Sequence, residues 1–316
     1  MSAAAGYVPP RWLRNPHTAT IYASRLAPAP LVPYRRERWE TPDGDFLDVD
    51  FVDGPATAPR AVMLHGLEGS SSSRYVRAFM DAVRARGWRG VAPNWRGCSG
   101  ELNRRARAYH SGDSAEVDFI LRRLADGTPT FVAGVSLGGN ALAKWLGEQG
   151  EGARTIVRAC ASVCAPVDLH AAAHALERGF ARVYSRWFLW TLKQGTRLRL
   201  RRHGPILDEQ RVMAARTLRD FDEVATAPLH GFTDAADYYT RSSAKPLLRH
   251  VRAPLLLLNA KDDPFLPSTA LPAASELSSD VHAEFPAHGG HVGFVGELGD
   301  LSWLPNRLLR FFDEHA

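Results

Sequence analysis

The sequence predicts an α/β fold with a mostly parallel central sheet flanked by helices. Short apolar runs alternate with helical patterns along most of the 316 residues, the signature of strands and helices in turn. The later apolar runs are nearly continuous in Val, Leu, Ile and Ala, as strands buried on both faces must be. One stretch of about 90 residues before Leu255 reads only as helices and turns, too long for an ordinary connection within one sheet, so it is expected to be an inserted cap.

Taken in order, the candidate strands are 46–52, 61–64, 90–94, 130–135, 156–163, 255–259 and 282–285. Helical patterns fall at 75–86, at 115–124 with Ser114 as its N-cap, at 140–149 and at 305–315. The first 35 residues are rich in Pro and aromatics (Pro9, Pro10, Trp12, Pro16) and read as an irregular arm lying on the domain. The expected organisation is therefore an arm at 1–35, a core at 36–165 and 246–316, and a helical cap at 166–245.

Composition sets outer limits. No apolar run approaches the roughly 18 residues of a membrane span, and the first ten residues lack the pattern of a secretory signal. Three cysteines suit free thiols in a reducing compartment, so a cytoplasmic location is expected. Lys plus Arg is 39 against 34 for Asp plus Glu, an excess too small to argue for nucleic-acid binding.

The chemistry begins at Gly134-Val135-Ser136-Leu137-Gly138, a G-x-S-x-G between an apolar strand and a helical pattern. At such a turn the serine adopts strained backbone angles, glycines on either side relieve the crowding, and the hydroxyl stands clear of the sheet. A nucleophilic serine needs a base, and the base needs an orienting acid. In α/β-hydrolase order the acid follows a late strand and the histidine comes near the end. Asp262 and Asp263 compete for the first role; the spacing of Ala260 and Leu266-Pro267 favours Asp263, with Asp262 as a solvated or turn-capping carboxylate. His291, preceded by glycines, is favoured as the base over His288, which reads as an exposed loop residue.

Two backbone N–H groups must hold the oxyanion of the tetrahedral intermediate. Leu137, at the start of the helix, and Leu67, in the loop His65-Gly66-Leu67-Glu68-Gly69, are the expected donors, with the His65 side chain bracing that loop. No H-E-x-x-H, Cys/His or carboxylate cluster has metal-ligand spacing, and Gly134 to Gly139 lacks the Lys-Ser/Thr of a phosphate loop, so neither metal nor cofactor is expected. Cys160 and Cys164 read as core residues, and Cys98 as part of a structural turn.

Residues 178–207 carry Arg178, Arg182, Arg186, Lys193, Arg197, Arg199, Arg201 and Arg202 and no acid. That segment contributes +8, and the remaining 31 basic and 34 acidic residues carry −3. Most of the basic residues fall on one side at helical spacing, with Phe180, Tyr184, Trp187 and Trp190 on another. The expectation is a cap helix that packs its aromatics over the pocket and solvates its charges. The alternative is an interfacial helix that touches anionic lipid while the pocket takes an acyl chain.

These motifs resemble those of α/β-hydrolase family 4, the YheT-like bacterial hydrolases with relatives among animal lipid hydrolases. The resemblance runs through Asn15-Pro16-His17, Leu64 to Ser71, Asn94 to Gly100, Tyr109-His110-Ser111-Gly112 and Gly134 to Asn140. It continues through Asp220-Phe221-Asp222, Ala227-Pro228-Leu229, Tyr238-Tyr239, Asn259 to Phe265 and Gly289 to Phe294. It implies the triad Ser136, Asp263 and His291, and hydrolysis of carboxylic esters such as short-chain esters or acylglycerols. One departure is Ala19-Thr20, where the family usually has Gln-Thr. The expected protein is a cofactor-free serine hydrolase acting on a small ester or lipid, with acyl transfer or thioester cleavage open to the same triad. A silent ligand-binding module is the rival from another class.

Overall fold

The computed structural model describes residues 6–316. Eight strands form one sheet: β1 (Arg35–Glu40), β2 (Phe46–Val52), β3 (Arg60–Leu64), β4 (Arg89–Pro93), β5 (Thr130–Val135), β6 (Ala159–Val163), β7 (Leu255–Leu258) and β8 (Val281–Glu284). Their order is β1-β2-β4-β3-β5-β6-β7-β8. β1 and β2 are antiparallel to their neighbours, and every pairing from β4 to β8 is parallel.

The continuous apolar runs have the cause expected of them. Alternate residues of each central strand enter opposite layers: Val62, Leu64, Val132 and Leu257 face one side, while Ala61, Met63, Phe131 and Leu256 face the other. The first layer is closed by α3 (Ser114–Leu124) and α4 (Leu137–Gln149) through Ile120, Leu121, Trp145 and Leu146. The second is closed by α2 (Arg74–Ala85) and α11 (Trp303–Asp313) through Phe79, Met80, Leu308 and Phe312.

Three local expectations are corrected. Helix α3 starts at Ser114 itself with Asp113 at the N-cap; no side-chain cap bond forms, and Asp113 Oδ1 instead pairs with Arg107 at 2.6 Å. Strand β6 begins at Ala159 and not at 156, since residues 150–155 close a 3-10 turn. Strand β1 was hidden because Arg-Arg-Glu-Arg-Trp-Glu offers a single buried apolar residue, Trp39. It is an edge strand held by charge. Arg36 and Arg38 stand opposite Asp50 and Asp48 and pair with them at 2.7 Å and 2.8 Å. Burial pushes the Asp50 carboxyl up, and hydrogen bonds from Arg36, Ser71 and Asn94 outweigh that and hold it below the usual range.

Between β6 and β7 lie six α-helices: α5 (Leu169–Leu176), α6 (Ala181–His203), α7 (Glu209–Ala214), α8 (Leu218–Phe221), α9 (Ala227–His230) and α10 (Ala235–Ser242). The orientation of α6 overturns one expectation. Phe180, Trp187 and Trp190 are 49%, 48% and 56% exposed and face solvent, while Phe188, Leu192, Thr196 and Arg199 line the cavity beneath. Nor are all the charges solvated. Arg199 points into that cavity, and Lys193 donates to the carbonyls of Met213 and Ala215 at 2.8 Å and 2.6 Å. The chain before β1 contains α1 (Pro16–Ile21), capped by the Asn15 side chain, and the Tyr7 hydroxyl accepts from Val295 N–H at 3.0 Å.

The two-sided sheet makes a stability prediction. Phe131 stacks between Trp88 and Phe312, each at 5.2 Å between ring centroids. Phe131→Ala is expected to lower the unfolding free energy by about 3–5 kcal/mol, measured by urea denaturation.

Candidate active site

Ser136 occupies the sharp turn from β5 into α4, with φ 54° and ψ −118°, a conformation disfavoured for any residue with a side chain. The turn is possible only because its neighbours lack side chains. A Cβ on Gly134 would lie 2.4 Å from the Gly138 carbonyl oxygen, and one on Gly138 would lie 2.5 Å from that of Leu64. The Ser136 N–H donates to Val163 O at 2.8 Å, anchoring the turn to β6.

The structure brings His291 to this serine from the far end of the chain. Its Nε2 lies 3.0 Å from Ser136 Oγ, and its Nδ1 lies 2.9 Å and 3.1 Å from the two carboxylate oxygens of Asp263. Bonding of Nδ1–H to Asp263 selects the tautomer with a bare Nε2, which can accept the serine proton. The Asp263 side chain is wholly buried and that of His291 is 10% exposed. Asp263 Oδ1 also accepts from Phe265 N–H at 2.8 Å, and the Phe265 ring stacks on the imidazole at 4.0 Å.

Asp262 faces elsewhere. One oxygen accepts from Gly290 N–H at 2.8 Å and the other contacts His288 Nδ1 at 3.2 Å. It is therefore neither free nor merely solvated: it pins the loop that carries His291. Three more features support that loop, and the contacts of two of them, Thr20 and Cys164, escaped sequence reading. Thr20 in the arm accepts from His291 N–H at 2.9 Å through Oγ1, whose own proton goes to Pro16 O. Gly290, with φ +54°, passes so close that a Cβ would lie 2.5 Å from Pro16 O. Cys164 Sγ, beneath the loop, accepts from Val292 N–H at 3.3 Å. The signal for the arm was present in the Ala19-Thr20 pair, where the threonine kept from the family pattern is the one that holds His291.

Leu67 and Leu137 line the same cavity as Ser136 and His291. Leu137 is the first residue of α4, where backbone N–H groups have no partner within the helix. His65 braces its loop as expected. Nδ1–H donates to Gly66 O at 2.8 Å, and Nε2 accepts from Trp95 N–H at 3.1 Å. Cys98 is half-buried, and burial pushes its thiol up to about 12. The cavity, of ≈ 160 Å³ and partly open to solvent, is roofed by α5 and α6 through Leu169, Ala172, Leu176, Phe188 and Leu192.

The alpha/beta hydrolase fold family model matches residues 59–298. The chain belongs to the α/β-hydrolase family. It is 39% identical to an Escherichia coli protein named "Putative esterase YheT" over 97% of this chain and 93% of that one. It is 31% identical to the mouse protein Phospholipase ABHD3, covering 92% of this chain and 73% of that one. Among solved structures, Pyrococcus furiosus esterase Pf2001 superposes with a TM-score of 0.58 at 13% identity, over 98% of each chain, a likeness of fold.

Within this α/β-hydrolase one group of three potential metal donors comes together among the described residues, Cys164, Asp263 and His291. Both ring nitrogens of His291 are already engaged, by Asp263 and Ser136, and burial pushes the Cys164 thiol well above its ordinary value. The trio fits an acid–base pair resting on a protonated thiol better than a metal cage.

Three histidines, His110 and His230 in the cavity lining and His65 in the loop it braces, make acid stability testable. Burial pushes His65 down to about 4 and His110 and His230 down to about 3. An unfolded chain would take up protons below about 6.5 that the folded one refuses, so the stabilisation is complete above that value and is lost as pH falls towards 4 and below. Urea midpoints should fall between about pH 7 and pH 4.5, and His110→Gln should make the decline shallower.

Proposed function

We propose that this α/β-hydrolase is a serine hydrolase of carboxylic esters, acting through an acyl-enzyme. The observation that carries the reading is the hydrogen-bonded chain Ser136–His291–Asp263 opening onto an apolar cavity. Ser136 Oγ attacks the ester carbonyl while His291 Nε2 takes its proton. The carbonyl oxygen becomes an oxyanion held by the Leu67 and Leu137 N–H groups, at the positive end of α4. The intermediate collapses, His291 hands the proton to the departing alcohol, and Asp263 stabilises the imidazolium meanwhile. Water, deprotonated by His291, then attacks the acyl-enzyme, and His291 returns that proton to Ser136 Oγ as the acyl–Oγ bond breaks and the acid leaves.

The cavity lining supports short-chain esters or acylglycerol-type lipids as substrates, as do relatives named esterase and phospholipase. Residues 166–245 serve as the cap, and residues 6–35, the described part of the 1–35 arm, prop the His291 loop through Thr20. Three free thiols among the described residues support a reducing, cytoplasmic setting. No helix among them is long and apolar enough to cross a membrane.

The outward face of α6 supports a peripheral contact with anionic lipid. Val183, Trp187, Trp190 and Leu198 form an exposed apolar strip flanked by exposed Arg182, Arg186, Arg197, Arg201 and Arg202. Arg25 of the arm lies over the Trp187 ring at 4.6 Å and adds to the same face.

A fluorophosphonate probe should label the wild type and not Ser136→Ala; absent labelling of the wild type would overturn the reading. On a chromogenic short-chain ester, Asp263→Asn should lower kcat on the order of 10⁴-fold, and Asp262→Asn far less. Co-sedimentation with vesicles of anionic phospholipid at low salt should be lost in the double variant Trp187→Ser, Trp190→Ser. If the wild type ignores such vesicles, the lipid contact is wrong.

A further inference from the structure

The loop from His65 to Gly69 leaves β3 and passes directly against the nucleophile. A Cβ on Gly66 would lie 3.1 Å from Ser136 Cβ. Three successive backbone N–H groups in it have different fates. Gly66 N–H donates to the Tyr75 hydroxyl at 2.8 Å, and Glu68 N–H donates to the Tyr109 hydroxyl at 2.7 Å. Leu67 N–H, between them, has no acceptor among the described residues, although Leu67 lines the cavity beside Ser136.

The opposite end of the same peptide plane is also held. Gly66 O accepts from His65 Nδ1–H at 2.8 Å and from Gly69 N–H at 3.1 Å. In a trans peptide the C=O of one residue and the N–H of the next point in opposite directions. Fastening Gly66 O on one side therefore aims Leu67 N–H to the other. Glu68 needs fastening too, because its φ of 56° is unfavourable for a residue with a side chain. Tyr109 grips it twice, accepting from its N–H and donating to Glu68 Oε1 at 2.8 Å.

We propose that Tyr75 and Tyr109 are positioning residues of the hydrolysis reaction: their hydroxyls occupy the two amides flanking Leu67, leaving the Leu67 N–H between them without an acceptor among the described residues and aimed at the oxyanion. The proposal rests on the reading of Ser136 as nucleophile. It gives a task to Tyr109, which stands in a motif otherwise remote from the proton transfer. Tyr75 comes from the first turn of α2 and Tyr109 from the chain before α3, so the donor is held from two separate elements. Burial pushes Tyr75 up to about 12 and Tyr109 well above its ordinary value, so both hydroxyls keep their protons at working pH.

A loosened oxyanion donor weakens the transition state and leaves ground-state binding of the ester largely as it was. The test compares the wild type with Tyr75→Phe, Tyr109→Phe and the double variant on a chromogenic short-chain ester. Inhibition by a trifluoromethyl ketone, which forms a tetrahedral oxyanion on the serine, is measured beside inhibition by an unreactive ether analogue. Each single variant is expected to lower kcat by about 10- to 100-fold with KM within about threefold, and to weaken the ketone in parallel while the ether is unaffected. Unchanged kcat, a change confined to KM, or equal weakening of ketone and ether would each overturn the proposal. Thermal denaturation identifies the folded variants, and Tyr109→Phe alone suffices if Tyr75→Phe does not fold. Failure of the serine-hydrolase reading is separable, because the wild type would then take no fluorophosphonate.

Discussion

The turn between β5 and α4 is the constraint around which the molecule is arranged. Ser136 is held in a backbone conformation that disfavours side chains, and it persists because β5 is locked in mid-sheet while α4 is buried along most of its length. Gly134 and Gly138 leave room for carbonyl oxygens where any Cβ would collide. Strain in one residue is thus offset by packing spread over two secondary-structure elements. Its product is a hydroxyl raised above a helix N-terminus, with a backbone N–H beside it.

Around this point the fold builds concentric support, which explains sequence motifs that never touch a reacting atom. Trp95 donates its backbone N–H to His65 Nε2 and its indole N–H to His65 O at 2.8 Å. Asn94 ties Ser71 N–H to β2. Arg96, buried among Asp43, Asp45 and Glu116, fastens the next turn. Burial and the nearby Asp113 push the Glu116 carboxyl up, against the pull of Arg107 and Arg96. Asn140, one turn beyond the serine, donates to Ser111 O and Ser242 O and accepts from Ala244 N–H, joining α4 to the helices above. Buried polar groups of this kind are costly when left unpaired, which restricts the arrangement to few alternatives.

Helix α6 joins the cavity to the outer surface. Its inward face supplies apolar wall to the space above Ser136, and its outward face presents tryptophans among arginines. One helix therefore carries both the shape of the cavity and the charge excess of the chain. A residue's place on the 100° wheel, and not its chemical type, decides which role it has: Phe188 lines the cavity while its neighbour Trp187 is exposed.

Much of this was legible in the residues. Strands buried on both faces announce themselves by unbroken apolar runs, and G-x-S-x-G marks a turn that few other residues could make, because periodicity and glycine act over a handful of positions. The order of serine, late carboxylate and final histidine was likewise visible. Direction was not. Spacing favoured Asp263 over Asp262 without fixing what either would touch, and the folded loop sends the first to His291 and the second to Gly290 N–H. Strand β1 was hidden because its stability lies in ion pairs with β2, and the place of Trp187 was hidden because α6 is amphipathic on both sides. Local pattern by itself determined which elements form and which chemical groups are present. Contacts between residues far apart in the chain, such as Thr20 with His291 and Tyr109 with Glu68, decided where those groups point, since a hydrogen bond depends on atoms meeting in space and leaves no periodic trace.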